Sequence, residues 1–184
     1  MKTKIFTTLS VDGYIENNIN YDEKLLFFNE DCDNILIIDH EKYKKILPEI
    51  TSLKDIIVIL IEKKYPLTSQ LYKELTCIDN KIPFVSCINI EEAFKIIEQN
   101  KINDEINNFV IVGNYDIYNE AINKCNDINV VWVNIMYDES NESNDYKKFP
   151  ITKLFSDFEM VSDINWKKNK EDILYKIYNY KFIY

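Results

Sequence analysis

The chain has 184 residues, 46% of them hydrophobic and 29% charged, with a formal net charge of −9. That is enough apolar material to close a core, and one domain over 1–184 is the simplest expectation. The charge argues against a basic face for nucleic acid, and no apolar run approaches the ~20 residues that span a bilayer, so neither nucleic acid nor a membrane is an expected partner.

Two shortages stand out. All 22 basic residues counted as Lys+Arg are lysine, and glycine occurs only as Gly13 and Gly113. Lysine supplies charge but not the planar two-pronged fork of arginine. The abundance of Asn, Ile, Lys and Tyr fits an AT-rich gene, so compositional drift accounts for part of the arginine loss. Cys32, Cys77, Cys87 and Cys125 show no CxxC spacing, and His40 is the only histidine. That set argues against a metal site and reads as reduced, buried thiols of a cytoplasmic protein. The N-terminus reads as a strand rather than a signal peptide.

In chain order, Lys4 to Val11 predicts a first strand, ended by Asp12-Gly13, and YIENNINY (14–21) a polar loop. DEKLLFFNE (22–30) predicts a helix, its early acids suiting the helix dipole. NILIID (34–39) is a wholly apolar run before a charge, the pattern of a strand buried on both faces. HEKYKKIL (40–47) predicts a helix stopped by Pro48. DIIVILI (55–61) is a second buried strand, and Pro66 to Leu75 a short helix. Phe84-Val85 forms a third strand, and IEEAFKIIEQ (90–99) an amphipathic helix. FVIV (109–112) predicts a fourth buried strand, Ile117 to Lys124 a helix, and VVWVNIM (130–136) a strand. After the acidic loop DESNESND (138–145), Phe158 to Ser162 and Ile173 to Phe182 predict two strands around the polar link WKKNKED. Alternating strands and helices imply a mainly parallel sheet with helices on both faces, closed by a C-terminal antiparallel strand pair.

Five phrases carry a resemblance: TTLSVDGYI, NIEEAFKII, FVIVGNYDIYNEAI, KKFPITKLFSDFEMV and ILYKIYNYKF. In this order and spacing they resemble the dihydrofolate reductase superfamily over nearly the whole chain. SVDGYI is also close to the related reductase domain of riboflavin biosynthesis, which leaves the substrate type open between dihydrofolate and a riboflavin precursor.

The resemblance implies a pterin held beside a buried acid while NADPH delivers hydride. On it, the acid is Glu23, with Asp22 as the alternative one register away. Phe27 packs on the ring, Lys54 stands where an arginine grips the folate tail, and Thr8 on the first strand completes the substrate side. The threonine that orients the acid falls at Val133 or Asn134. For the cofactor, the resemblance points to Gly113, Asn114, Tyr118, His40 and Lys63.

The departures fall mostly on the cofactor side. The family turns from strand to helix on two adjacent glycines, and here the pair is Gly113-Asn114. Asparagine tolerates left-handed backbone, so the turn is expected to survive while its side chain and Tyr115 crowd the phosphate. A glycine–arginine pair after the second strand is replaced by Asp39-His40, and a carboxylate there repels phosphate. Losing a charged bidentate contact costs about 2–5 kcal/mol when its partner stays buried. Two functions follow as expectations: a divergent NADPH-dependent reductase of dihydrofolate, or a protein of the same fold that has lost reduction and serves as a binding or structural component with a protein partner.

Overall fold

The computed structural model describes residues 2–16, 34–50, 56–62, 84–99, 108–137, 147–168 and 172–183. Two compact units result, one from residues 1–2 and 24–113, the other from residues 3–23 and 114–184.

The first unit contains strands β2 (Asn34–Asp39), β3 (Ile56–Ile61), β4 (Phe84–Cys87) and β5 (Asn108–Val112). They pair in parallel in the order β4-β3-β2-β5. Successive strand residues point to opposite faces, and Ile35, Leu36, Ile37 and Ile38 are all fully buried. Both faces of β2 are therefore covered, which is why its sequence is a continuous aliphatic run rather than an alternation.

Helix α1 (His40–Ile50) follows β2, and α2 (Ile90–Gln99) follows β4. α2 starts on a reciprocal cap. The Asn89 side-chain oxygen accepts from the Glu92 N–H at 2.8 Å, and the Glu92 carboxylate accepts from the Ile88 N–H at 2.8 Å. Its buried face is Ile90, Ala93, Phe94 and Ile97, the spacing of one helical stripe. α1 corrects the expectation that Pro48 stops it. The helix runs through Pro48 to Ile50, so the proline lies inside its last turn rather than ending it.

The second unit contains β1 (Thr3–Ser10), β6 (Asp127–Val133), β7 (Phe158–Lys168) and β8 (Leu174–Phe182). β1 and β6 are parallel, while β6–β8 and β8–β7 are antiparallel, giving the order β1-β6-β8-β7. Helix α3 (Tyr115–Ala121) continues as a 3₁₀ turn over Ile122–Lys124, and α4 (Ile151–Asp157) precedes β7.

Several elements differ from expectation, β6, β7 and α4 most clearly. β6 lies three residues earlier at both ends than expected, Asp127–Val133 rather than 130–136, because its pairing with β1 runs from Asp127 opposite Lys4 to Val133 opposite Ser10. β7 runs through Trp166 to Lys168, residues expected in the polar link. Edge-strand backbone pairs with β8 whatever its side chains, and two bulges absorb the misfit. α4 was not expected as a helix. It has two turns and no side-chain cap, so no local signal marks it.

Gly13 closes the turn after β1 with φ +86°, and its N–H donates to the Ser10 carbonyl at 2.9 Å. A side chain there would be strained, and its Cβ would lie 3.1 Å from Ile151. No described helix is long and apolar enough to cross a membrane.

Candidate functional site

In the first unit, the carboxyl ends of parallel strands converge at the β2–α1 junction. Val112 is the last β5 residue paired to β2, opposite Ile38, so Asp39 and Gly113 are the next positions past the ladder. Asp39 caps α1: its Oδ1 accepts from the Lys42 N–H at 2.9 Å. The residue is 8% exposed, and its Oδ2 is buried without a hydrogen-bond partner among the described residues. Burial pushes its carboxyl above the ordinary range, eased by the Lys42 and Glu41 N–H groups and the Lys42 charge.

His40 opens α1. Its Nδ1 lies 3.5 Å from the carboxylates of both Glu41 and Glu62, while Nε2 is buried without a hydrogen-bond partner among the described residues. Glu62 follows β3, its N–H donating to the Cys87 carbonyl at 2.9 Å. This end of the sheet is thus acidic, with one imidazole among carboxylates.

In the second unit, the strand-to-helix turn is built on Asn114. Its side-chain oxygen accepts from the N–H groups of Asp116 (3.1 Å) and Ile117 (3.3 Å), the donors a phosphate at this turn would seek. Asn114 has φ −99°, an extended conformation. The expectation that asparagine serves here by tolerating left-handed backbone is therefore corrected: it serves as a helix cap. Tyr118, one turn on, is fully buried. Its hydroxyl donates to the Phe6 carbonyl at 2.9 Å, and its ring packs 5.3 Å from Phe149. In this structure the residue is a strut between α3 and β1.

The turn after β1 carries a carboxyl that the sequence reading missed. Glu16 is 6% exposed, and its N–H donates to the Thr8 carbonyl at 2.9 Å. Its carboxyl accepts from the Tyr137 side chain, while Oε1 is buried without a hydrogen-bond partner among the described residues. Burial raises its pKa, the Tyr137 bond lowers it and the charge of Asp12 raises it. Asp12 in turn accepts from the Ser10 hydroxyl (2.6 Å) and the Tyr137 N–H (3.1 Å). The available signal was positional: after Gly13 the chain folds back on β1, with Leu9 bridging Ile15, and that return carries the next residue inward. Val133 ends β6 fully buried, and Asn134 is exposed with its N–H on the Leu174 carbonyl at 2.8 Å.

Of the residues expected at a site, Thr8, His40, Gly113, Asn114 and Tyr118 have the places just given. Glu23, Asp22, Phe27, Lys54 and Lys63 lie outside the described residues, as do Cys32 and Cys77. Cys87 and Cys125 are buried free thiols, each pushed up to about 12 chiefly by burial.

No family model matches the chain, and no curated protein matches it. Among solved structures, a dihydrofolate reductase from Enterococcus faecalis complexed with NADP(H) and RAB-propyl is similar with a TM-score of 0.63. The likeness covers 98% of this chain and 96% of that one at 12% identity. The fold is accordingly dihydrofolate reductase-like: a mainly parallel sheet with C-terminal antiparallel strands.

Proposed function

We propose that this chain is a dihydrofolate reductase-fold protein whose nucleotide cradle is closed to phosphate, and that it works as a binding component rather than as an NADPH-dependent reductase. The observation that carries this reading is that side chains already take backbone N–H groups at the starts of α1 and of α3. A helix N-terminus attracts anions through unsatisfied N–H groups. At α3 the Asn114 side chain takes two of them, and at α1 the Asp39 carboxylate takes another. A phosphate arriving at either end must displace a cap, and at α1 it must also face the charges of Asp39, Glu41 and Glu62. The chain has no arginine to offset this. A protein partner is the expected ligand class of such a scaffold.

The test is NADPH titration followed by fluorescence, beside a dihydrofolate turnover assay. The closed cradle gives no saturable binding at millimolar cofactor and no turnover. Asn114→Gly restores the glycine pair and frees two N–H groups, and is expected to gain measurable pyrophosphate binding. Micromolar NADPH binding by the unaltered chain overturns the reading.

A second reading is supported by the fold likeness to a reductase complexed with NADP(H). Glu23 or Asp22 then acts as the proton-handling acid for a pterin, with Phe27 and Lys54 on the substrate side and NADPH as cofactor. Turnover abolished by Glu23→Gln supports it.

A further inference from the structure

We infer that the outer edge of β7 in the second unit is a docking surface for a second copy of this chain, the two β7 strands running antiparallel about a two-fold axis near Asp163. The inference goes beyond the functional reading and does not depend on whether the chain binds NADPH. Three observations carry it.

First, the edge is open and apolar. β7 closes the order β1-β6-β8-β7 and pairs only with β8 among the described strands of its unit. The backbone groups on its other side are a template for a further strand. Exposed large hydrophobic side chains gather at this end of the unit. Of the ten among the described residues, six lie on α4, β7, β8 and the residue that follows it: Phe155, Met160, Val161, Trp166, Leu174 and Ile183. Met160 stands opposite Tyr180 in the ladder, and the Phe155 ring lies 6.4 Å from the Tyr180 ring, so part of this surface is continuous. Such concentration marks an interaction surface rather than scattered exposure.

Second, the charge along β7 is self-complementary. The strand reads FEMVSDINWKK, with Glu159 and Asp163 ahead of Lys167 and Lys168. Two copies side by side in antiparallel set acid against lysine, whereas a parallel arrangement sets like against like. Glu159 and Lys167 are both exposed, and neither makes an ion pair among the described residues. They stand opposite Lys181 and Tyr175 of β8, positions that share one face of the sheet.

Third, the bulges fix a register. They fall between Met160 and Ser162 and between Ile164 and Lys167, so Ser162, Asp163 and Ile164 keep regular pairing. That stretch is centred on Asp163, and Glu159 and Lys167 stand equally far along the chain on either side of it. A two-fold axis there brings Glu159 of each copy opposite Lys167 of the other. The Asp163 carboxylate, which faces its own copy, is already paired with Lys176 Nζ at 2.5 Å. Bulges and charges guard a sheet edge against indiscriminate pairing, and here they confine it to this arrangement. Association of this kind rises with protein concentration, so the edge stands open in dilute solution.

The test is sedimentation equilibrium of the full chain at low ionic strength, up to about 0.1 mM protein. The expected result is reversible growth of the mass from 22.0 kDa towards twice that value. Glu159→Lys and Lys167→Glu each set like charges together twice per dimer, and each should weaken self-association about tenfold or more. Mixed in equal amounts, the two variants should associate with each other as the unaltered chain does with itself, because both contacts again join opposite charges. That rescue also shows that both variants are folded. Glu91→Lys, on the exposed face of α2 beside Lys95, changes net charge as Glu159→Lys does and should leave self-association unchanged. A monomer throughout that range overturns the inference, as does a dimer indifferent to both charge reversals or one that mixing does not restore. None of these outcomes bears on NADPH binding, which alone decides the functional reading.

Discussion

In the first unit, four consecutive β2 residues, Ile35 to Ile38, are fully buried. In the second, β7 exposes Met160, Val161 and Trp166. Both segments are strands, yet their sequences share little. β2 lies between two parallel neighbours and under cover on both faces, so every position must be apolar. β7 pairs only with β8 among the described strands of its unit and carries two bulges, so charge and polarity are tolerated at most positions. The lesson is that apolar continuity reports a strand's place in the sheet more than its existence as a strand. The two units also handle a buried carboxyl differently. Asp39 spends one oxygen on backbone N–H as a helix cap, whereas Glu16 is held by the Tyr137 side chain.

The largest expected effect breaks the first contrast. Leu36→Ala deletes a fully buried side chain and should cost about 3–4 kcal/mol, whereas Met160→Ala on the exposed edge should stay within about 0.5 kcal/mol. Urea unfolding of both variants measures this, and a Met160 effect as large as that at Leu36 would show that β7 is covered in solution. Next comes the strut. Tyr118→Phe removes the buried bond to the Phe6 carbonyl and should cost about 1–2 kcal/mol, since the carbonyl loses its side-chain donor. A neutral result would leave Tyr118 available for another role.

The caps follow. Asn114→Ala should lower stability by about 1 kcal/mol, and Asn114→Gly by only a few tenths, the ordering expected of a helix cap. Equal losses would mean that the side-chain bonds to Asp116 and Ile117 contribute little.

The smallest effect concerns the buried carboxyls. Asp39 and Glu16 have pKa values raised in the folded chain, chiefly by burial. The native state therefore holds these protons to higher pH than the unfolded chain does. The stability this contributes is present below the ordinary values of 3.8 and 4.5 and is lost as pH rises through the folded pKa values. Asp39→Asn and Glu16→Gln should each gain stability over the unaltered chain at neutral pH and converge with it in acid. Thermal melts across that range decide it, and a gain that persists below both ordinary values would assign the effect to packing.

Much of the architecture was legible because apolar continuity and helix periodicity are local signals. NILIID and IEEAFKIIEQ are bounded in the structure as in the sequence. α4 was not legible, being two turns without a side-chain cap, nor was the length of β7, whose pairing is decided by the backbone of β8. At the site, Gly113-Asn114 and Asp39-His40 were conspicuous as departures from a pattern. Their sequence did not reveal that Asn114 caps in an extended conformation, nor that Asp39 shares its carboxylate between a cap and an orphaned oxygen. Glu16 went unnoticed because nothing in YIENN distinguishes an inward glutamate from a solvated one.

By itself the sequence determined the class of the fold, the scarcity of glycine, the absence of arginine and the acidic balance, since these are set by composition and by the periods at which apolar residues recur. Tertiary structure alone decided which carboxyls lie buried, which helix N–H groups are already taken, and that Tyr118 reaches back to Phe6 across 112 positions of chain. Those outcomes depend on which segments the fold brings side by side, and no local run of residues encodes that proximity.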